Sequence, residues 1–313
     1  MTLREYKGLE KIIEISEGPV KLNSEYEQLI ISKNDEEIGK IPINEISVLL
    51  ITTPIASIST NLISLITKNK GMIVVCDQFY LPVGVFLPYE LNYIQQERIN
   101  KQINASLPLK KQLWKQLISA KIKSQGAVLN KIKEFDFGLY NISEKVLSGD
   151  TSNLESYASR IYFKKLFGEK FIRDKNLPGI NSILNYGYTI LRAMTSRAIC
   201  SSGLNPTLGI FHHNKYNSFC LADDLMEPYR PVVDELTYNL IIKSGIQLFL
   251  TKELKRNIII ELLNKKLEID KEKIFLNEAL FRLSFSLVEV YCGKEKKLNI
   301  PNPYEKERDK NSK

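Results

Sequence analysis

Histidine and the common catalytic motifs are scarce in this chain. Its 313 residues include two histidines and one tryptophan. The sequence has no GxxxxGKS or GxxxxGKT loop, no GxGxxG after a predicted strand, no GxSxG elbow and no HExxH pair. Each of these motifs positions the reactive groups of one enzyme class. Their absence gives no support to a P-loop nucleotidase, a Rossmann dehydrogenase, a serine hydrolase of the elbow type or an HExxH metalloprotease.

Cysteines and long apolar runs are also few. Cys76, Cys200, Cys220 and Cys292 lie far apart and form no CxxC pair, which favours free thiols in a reducing compartment. The longest apolar runs fall short of the roughly 18 residues that span a bilayer. The opening segment MTLREYKGLEKIIEIS lacks the apolar core of a secretory leader. We therefore expect a cytoplasmic protein with no membrane association.

Positive charge is confined to one part of the chain. Residues 1–88 contain 8 Lys and Arg against 11 Asp and Glu, whereas residues 89–313 contain 36 against 25, a net charge of +11. Such a charge favours a polyanionic partner such as DNA, because each neutralised phosphate releases condensed counterions. A solvated lysine-rich face with no partner is the alternative that charge alone leaves open.

The hydrophobic patterns predict an α+β protein with two domains. Residues 1–88 predict a small β-rich N-terminal domain, with SKNDEEIG (32–39) as a turn between strands and SISTNLISLITKNKG as a helix. Residues 89–300 change to helical spacing and predict a larger all-α C-terminal catalytic domain, which includes a helix over RNIIIELLNKKL. Its longest predicted helix, LPLKKQLWKQLISAKIKSQGAVLNKIKEF, carries lysines on an outer basic face. Residues 301–313 form a polar tail that we expect to be disordered.

Both histidines precede a group of acids. His212 and His213 are followed by Asp223, Asp224 and Glu227. If a helix starts here, Asp224 and Glu227 share one face, and with an imidazole they form a ligand set that suits Mg²⁺ or Mn²⁺. The alternative is a capping box made by Asp224 and Glu227. His212 follows a glycine and two apolar residues, so a strand or a buried turn could aim it inward.

A third acid is Glu155, in the predicted helix ESYASRIYFKKLFG. It is a candidate ligand because the helix is otherwise rich in apolar and aromatic residues. The alternative is a glutamate in the first turn that complements the helix dipole.

The stretches ESYASRIYF, LNYGYTIL, GLNPTLGIFH and DLMEPYRP together resemble the CRISPR-associated endonuclease and integrase family of spacer acquisition, the family numbered one among CRISPR-associated proteins. The resemblance covers nearly the whole chain, and LNYGYTIL with DLMEPYRP is similar to the type II subgroup. It implies that Glu155, His212 and Glu227 are catalytic and bind Mg²⁺ or Mn²⁺, with Asp224 as a further acid near the site. His213 gets no role. One departure is Ser156, since many relatives have glycine after this glutamate.

The resemblance also implies a function in CRISPR adaptation, an antiviral defence. In that function, the 3′-hydroxyl of double-stranded prespacer DNA attacks a phosphodiester at a CRISPR repeat. The implied partners are this DNA, a second copy of the chain bound through the N-terminal domains, and a dimer of the small second adaptation protein in a hetero-hexamer. Two alternatives stay open: a metal-dependent nuclease that cuts branched or duplex DNA by water attack, and a non-catalytic basic DNA-binding scaffold.

Overall fold

The Ile- and Val-rich opening of the chain folds into two four-stranded sheets. The computed structural model describes residues 11–77, 82–88, 94–243, 249–269, 272–302 and 304. The strands are β1 (Lys11–Ile15), β2 (Val20–Glu25), β3 (Gln28–Lys33), β4 (Glu36–Pro42), β5 (Ile46–Ile51), β6 (Ala56–Ile58), β7 (Met72–Cys76) and β8 (Pro82–Phe86). Helix α1 (Thr60–Lys68) connects β6 to β7.

The first sheet has the order β1-β5-β7-β8, and β5 runs parallel to both of its neighbours. The second sheet has the order β4-β3-β2-β6. The predicted turn at 32–39 is confirmed but tighter, because Asn34 and Asp35 alone separate β3 from β4. Both have positive φ, which Asn and Asp tolerate better than most residues. Helix α1 is also confirmed, with the Ser59 side chain accepting a hydrogen bond from the Leu62 N–H.

The rest of the chain is mostly helical, which confirms the predicted α+β class. The helices are α2 (Gln95–Ile103), α3 (Leu107–Lys133), α4 (Leu139–Glu144), α5 (Leu154–Phe167), α6 (Ile180–Ser201), α7 (Cys220–Leu225), α8 (Arg230–Tyr238), α9 (Lys252–Asn264) and α10 (Leu276–Tyr291). Short 3₁₀ turns occur at Ile43–Glu45, Ser148–Asp150 and Glu227–Tyr229, and a π-helix occurs at Asn239–Lys243. No helix in the described part of the chain has the length and apolar content that crossing a bilayer needs.

Two details of the C-terminal part differ from the sequence prediction. The helix predicted over RNIIIELLNKKL ends at Asn264, and β9 (Lys266–Ile269) then pairs antiparallel with β10 (Glu272–Phe275), so this part is not purely helical. The start of the predicted disordered tail is packed, because the Tyr304 hydroxyl donates a hydrogen bond to Glu235 at 2.5 Å. Residues 89–93, at the predicted domain boundary, and 305–313, most of the tail, lie outside the described residues.

Helix α6 lies at the centre of the helical part and is buried on nearly all sides. Its LNYGYTIL segment packs against α8 at Gly187, where an added Cβ would lie 2.4 Å from Cγ1 of Val233. Glycine is needed here because any side chain would push α6 away from α8. The close packing of α6 on α8 fixes the helical frame around the candidate site.

The first sheet belongs to two hydrophobic cores. Val48 and Leu50 of β5 pack in the core that contains α3, α6 and α10. Leu49 and Ile51, on the opposite face of the same strand, pack with α1 and the second sheet. Because side chains alternate along a strand, β5 is buried on both faces and joins the N-terminal part to the helices.

Candidate metal and DNA site

Glu155 is placed by the start of α5. The carboxylate of Asp150 accepts hydrogen bonds from the backbone N–H groups of Leu154 at 2.9 Å and Glu155 at 3.0 Å. These N–H groups have no partner inside the helix, so Asp150 stabilises its first turn. Glu155 lies in the first turn of α5, as the helix-dipole alternative expects. The Glu155 carboxylate also contacts a residue of α3 that is distant in the sequence.

That contact is with Lys121, which lies between Glu155 and Glu227. Its ammonium is 2.6 Å from Glu155 Oε1 and 2.6 Å from Glu227 Oε2. Burial acts to lower the pKa of Lys121, yet Glu227 and Glu155 raise it above its ordinary value. The sequence prediction placed all the lysines of this helix on an outer face, and for Lys121 that was wrong.

A helical-period signal for Lys121 was present in the sequence. Leu117 lies four residues before it and Val128 seven residues after it, and both are apolar and buried. Residues four or seven positions apart share one helix face, so the spacing places Lys121 on the inner face of α3. The sequence prediction missed this inner position because a charged residue was assumed to be exposed.

Glu227 begins the 3₁₀ turn between α7 and α8 and is buried. Its Oε1 lies 2.9 Å from Nε of Arg230. Burial acts to raise the pKa of Glu227, but Arg230 and Lys121 together lower it below its ordinary value. The Lys121 contact has ion-pair distance without hydrogen-bond angles, so Glu227 Oε2 has no hydrogen-bond partner among the described residues.

Asp224 organises the loop that carries His212. Its fully buried carboxylate accepts hydrogen bonds from the backbone N–H groups of Ile210 at 2.6 Å, Phe211 at 3.0 Å and His212 at 3.3 Å. The same carboxylate lies 2.6 Å from Nδ1 of the His212 ring. The loop passes so close that a Cβ on Gly209 would lie 2.3 Å from the carbonyl oxygen of His212.

This arrangement contradicts the capping-box alternative. Helix α7 begins at Cys220, so Asp224 lies inside it, and no side chain caps the following 3₁₀ turn. The chain bends at residues 210–211, just before His212, but the expected burial is only partial, because the His212 side chain is 42% exposed. Asp224 fixes the ring by contacting Nδ1. The hydrogen bond from Asp224 raises the pKa of His212 above its ordinary value, against the opposing effect of burial. Because Nδ1 is hydrogen-bonded to Asp224, Nε2 is the ring nitrogen that could bind a metal ion.

The two histidines have different surroundings. The His212 ring lies edge-on to Trp114 with ring centroids 5.6 Å apart, and Phe211 stacks on the same indole at 4.2 Å. His213 is exposed, and its Nδ1 contacts the carbonyl oxygen of Phe211. Trp114, like Lys121, was not among the residues predicted for the site.

A cavity of about 680 Å³ opens beside the two glutamates. Its charged lining consists of Glu155, Glu227 and Asp234 with Lys121, Arg160, Lys164, Arg173 and Arg230. His212 lines a neighbouring cavity of about 390 Å³. A surplus of cationic side chains over carboxylates suits a phosphate backbone.

The predicted residues therefore form two adjacent groups. Glu155 and Glu227 meet at Lys121, and His212 is joined to Asp224, while Glu227 contributes to the raised pKa of His212. Within the described residues, no three acidic, histidine or cysteine side chains are arranged to hold a metal ion. The donor chemistry nevertheless fits Mg²⁺ or Mn²⁺, because Glu227 Oε2 is a buried carboxylate oxygen without a hydrogen bond and a cation already lies beside it.

Comparison with known proteins places this geometry in context. A family model described as CRISPR associated protein Cas1 matches residues 14–265. The CRISPR-associated endonuclease Cas1 of Neisseria meningitidis serogroup C (strain 8013) is 34% identical, with 90% of this chain and 92% of that protein covered. A Cas1 endonuclease of Francisella tularensis subsp. novicida is 28% identical over 89% of this chain and 95% of its own.

Solved structures share the fold at lower identity. A casposase bound to its integration product has a TM-score of 0.80 at 20% identity, covering 95% of this chain and 94% of that one. A Cas1 protein from Thermotoga maritima has a TM-score of 0.76 at 17% identity, covering 91% and 98%. A Cas6-RT-Cas1–Cas2 complex has a TM-score of 0.77 at 18% identity and covers 96% of this chain but 37% of that one.

Proposed function

Since the chain belongs to the Cas1 family of CRISPR-associated proteins, we propose that it is a metal-dependent DNA endonuclease and integrase of CRISPR adaptation, of the type II form. It joins the 3′-hydroxyl of double-stranded prespacer DNA to a phosphodiester at a CRISPR repeat. The observation that supports the proposal is the pair of inward-facing glutamates, Glu155 and Glu227, in a cavity rich in cationic side chains. The curated relatives named as endonucleases, and a casposase captured with its integration product, support the same chemistry.

In this proposal Glu155, Glu227 and His212 would hold one Mg²⁺ or Mn²⁺ ion. When bound, the ion would polarise the attacked phosphate and offset charge that develops in the transition state. Asp224 keeps Nδ1 of His212 engaged, which orients the ring and leaves Nε2 for a ligand. Arg160 and Lys164 line the cavity and would bind the DNA backbone beside the glutamates.

The proposed partners follow from the same assignment to CRISPR adaptation. They are prespacer and repeat DNA, a second copy of the chain, and a dimer of the small second adaptation protein in a hetero-hexamer. A structural relative is a complex that contains Cas1 and Cas2, which supports a partner of this kind. The positive charge of residues 89–313 suits the DNA partner.

The test is a strand-transfer assay with the Glu227→Gln variant. Glutamine keeps the size of the side chain and removes the charge that a metal ion requires. We expect no joining of labelled prespacer to a repeat-bearing plasmid, with prespacer affinity close to that of the wild type. The matched control is Glu169→Gln, an exposed glutamate that pairs with Lys165 at 2.7 Å, and this variant should leave joining unchanged. Unimpaired joining by Glu227→Gln would contradict the assignment.

The same assay separates the two alternatives. A nuclease that uses water would give cleaved DNA without joined product, whether or not the small partner is present. A non-catalytic scaffold would bind DNA equally well in EDTA and would form neither product.

A further inference from the structure

Lys121 lies where a metal ion would be needed. Its ammonium is within 2.6 Å of one oxygen of Glu155 and one oxygen of Glu227, and its side chain is only 10% exposed. Lysine is rarely buried unless its charge is balanced, and here two carboxylates balance it. A single nitrogen therefore holds together acids from α5 and from the turn after α7.

The contact distances are close to those of a metal site. Carboxylate oxygens bind Mg²⁺ at roughly 2.1 Å, so a small inward shift from 2.6 Å brings both oxygens to coordination distance. Lys121 is attached to the long helix α3, which packs against both α5 and the 3₁₀ turn that carries Glu227. Its four-carbon side chain is flexible and can leave while the helix stays in place.

We propose that Lys121 is a positioning residue that holds Glu155 and Glu227 together in the metal-free protein and is exchanged for the divalent ion. This inference rests on the proposed function, because it takes the two glutamates as metal ligands. The ammonium has two opposed effects. It keeps the like charges of the half-buried Glu155 and the buried Glu227 from repelling each other, and it competes with the ion for the same oxygens.

The inference predicts an unusual result for a neutral replacement. In Lys121→Met the charge between the two glutamates is gone, although Arg230 still pairs with Oε1 of Glu227. Mn²⁺ should therefore bind about tenfold more tightly, as removal of one charge at this distance allows. Without metal, the same variant has two facing carboxylates and should melt at a lower temperature than the wild type. A lysine with a merely structural role would, when replaced, leave Mn²⁺ affinity unchanged or weaker.

The experiment uses the full-length chain and Mn²⁺ alone. Free Mn²⁺ is measured by electron paramagnetic resonance during titration of the wild type, Lys121→Met, Lys121→Gln and the control Lys123→Met, an exposed lysine on the same helix. Thermal midpoints are measured in EDTA and in saturating Mn²⁺. We expect tighter binding and a midpoint restored by Mn²⁺ for both Lys121 variants, and wild-type behaviour for Lys123→Met.

The outcomes separate this inference from the proposed function. If the wild type binds Mn²⁺ and Glu227→Gln abolishes that binding, the metal site stands. Equal or weaker binding by both Lys121 variants would then overturn the exchange alone. Folding of the variants only when Mn²⁺ is present would support the exchange, and failure to fold even in saturating Mn²⁺ would contradict it. Absence of Mn²⁺ binding by every protein would overturn both ideas.

Discussion

Replacing Asp224 by Asn is a direct test of how the His212 loop is built. Each carboxylate oxygen of Asp224 accepts two hydrogen bonds: Oδ2 from the Ile210 and Phe211 N–H groups, and Oδ1 from the backbone and ring of His212. An amide keeps one acceptor oxygen and turns the other into an NH₂ group that faces donors. With the NH₂ group at the Oδ2 position, the bonds from Ile210 and Phe211 are lost. With the NH₂ group at the Oδ1 position, the His212 backbone bond is lost, and the ring bond survives only if Nδ1 becomes the acceptor.

The size of the expected loss of stability follows from the burial of the N–H groups that lose their acceptor. An unpaired buried donor costs about 1–3 kcal/mol, so we expect Asp224→Asn to lower the free energy of unfolding by about 2–4 kcal/mol. For a chain of this length the thermal midpoint should fall by roughly 3–6 °C. The control is Glu169→Gln, a carboxylate-to-amide change at an exposed ion pair, which should leave the midpoint unchanged.

The assay has a second readout in the His212 ring. Asp224 raises the pKa of His212, so the ring's titration by NMR should shift toward its ordinary value of 6.5 in Asp224→Asn. Because the folded protein binds the His212 proton more tightly than the unfolded chain does, the contact with Asp224 stabilises the fold fully below pH 6.5. This stabilisation is lost as the pH rises through the raised pKa of His212. The variant should therefore lose more stability at pH 6 than at pH 8. An unchanged midpoint together with an unchanged His212 titration would refute the reasoning.

Two further changes test the packing and charge around the site. Gly209→Ala places a Cβ 2.3 Å from the His212 carbonyl oxygen, so the loop must move, and we expect loss of strand transfer with DNA binding retained in a mobility-shift assay. Burial raises the pKa of Asp234 to about 6, because the ionised carboxylate is unfavourable in the protein interior. The free energy of unfolding should therefore be highest below pH 3.8 and should fall as the pH rises through about 6. The stability of Asp234→Asn relative to the wild type should thus rise by about 3 kcal/mol between pH 3 and pH 8, as measured by urea denaturation.

Local signals were enough to predict much of the fold. The apolar run of β7, the serine before α1 and the helical spacing of α3 each depend on neighbouring residues, and the structure bears them out. The hairpin β9–β10 was missed because Lys265 and Lys266 extend a helical composition, while the pairing of Leu267 with Ile274 overrides that preference.

The geometry of the candidate site depends on contacts between residues far apart in the sequence, which local patterns do not predict. Glu155, His212 and Glu227 were candidates from their positions in the sequence, and the resemblance selected them as ligands. That role stays a prediction. Asp224 looked like a helix cap because capping is the local use of that spacing, whereas its actual partners are backbone groups a dozen residues earlier. Lys121 was assigned to the surface because its charge outweighed its periodicity, and only the tertiary structure brings two carboxylates to it.

The double burial of β5 has a consequence for how the sequence can vary. Every residue of ISVLLI is buried, so a substitution in β5 changes the packing of the helical core or of the N-terminal core, according to its face. Most of the residues in the outer strand β4 are exposed or only partly buried. We expect a library of substitutions to be tolerated in β4 and polar substitutions to be rejected at the apolar positions of β5, because each of those side chains packs in one of the two cores.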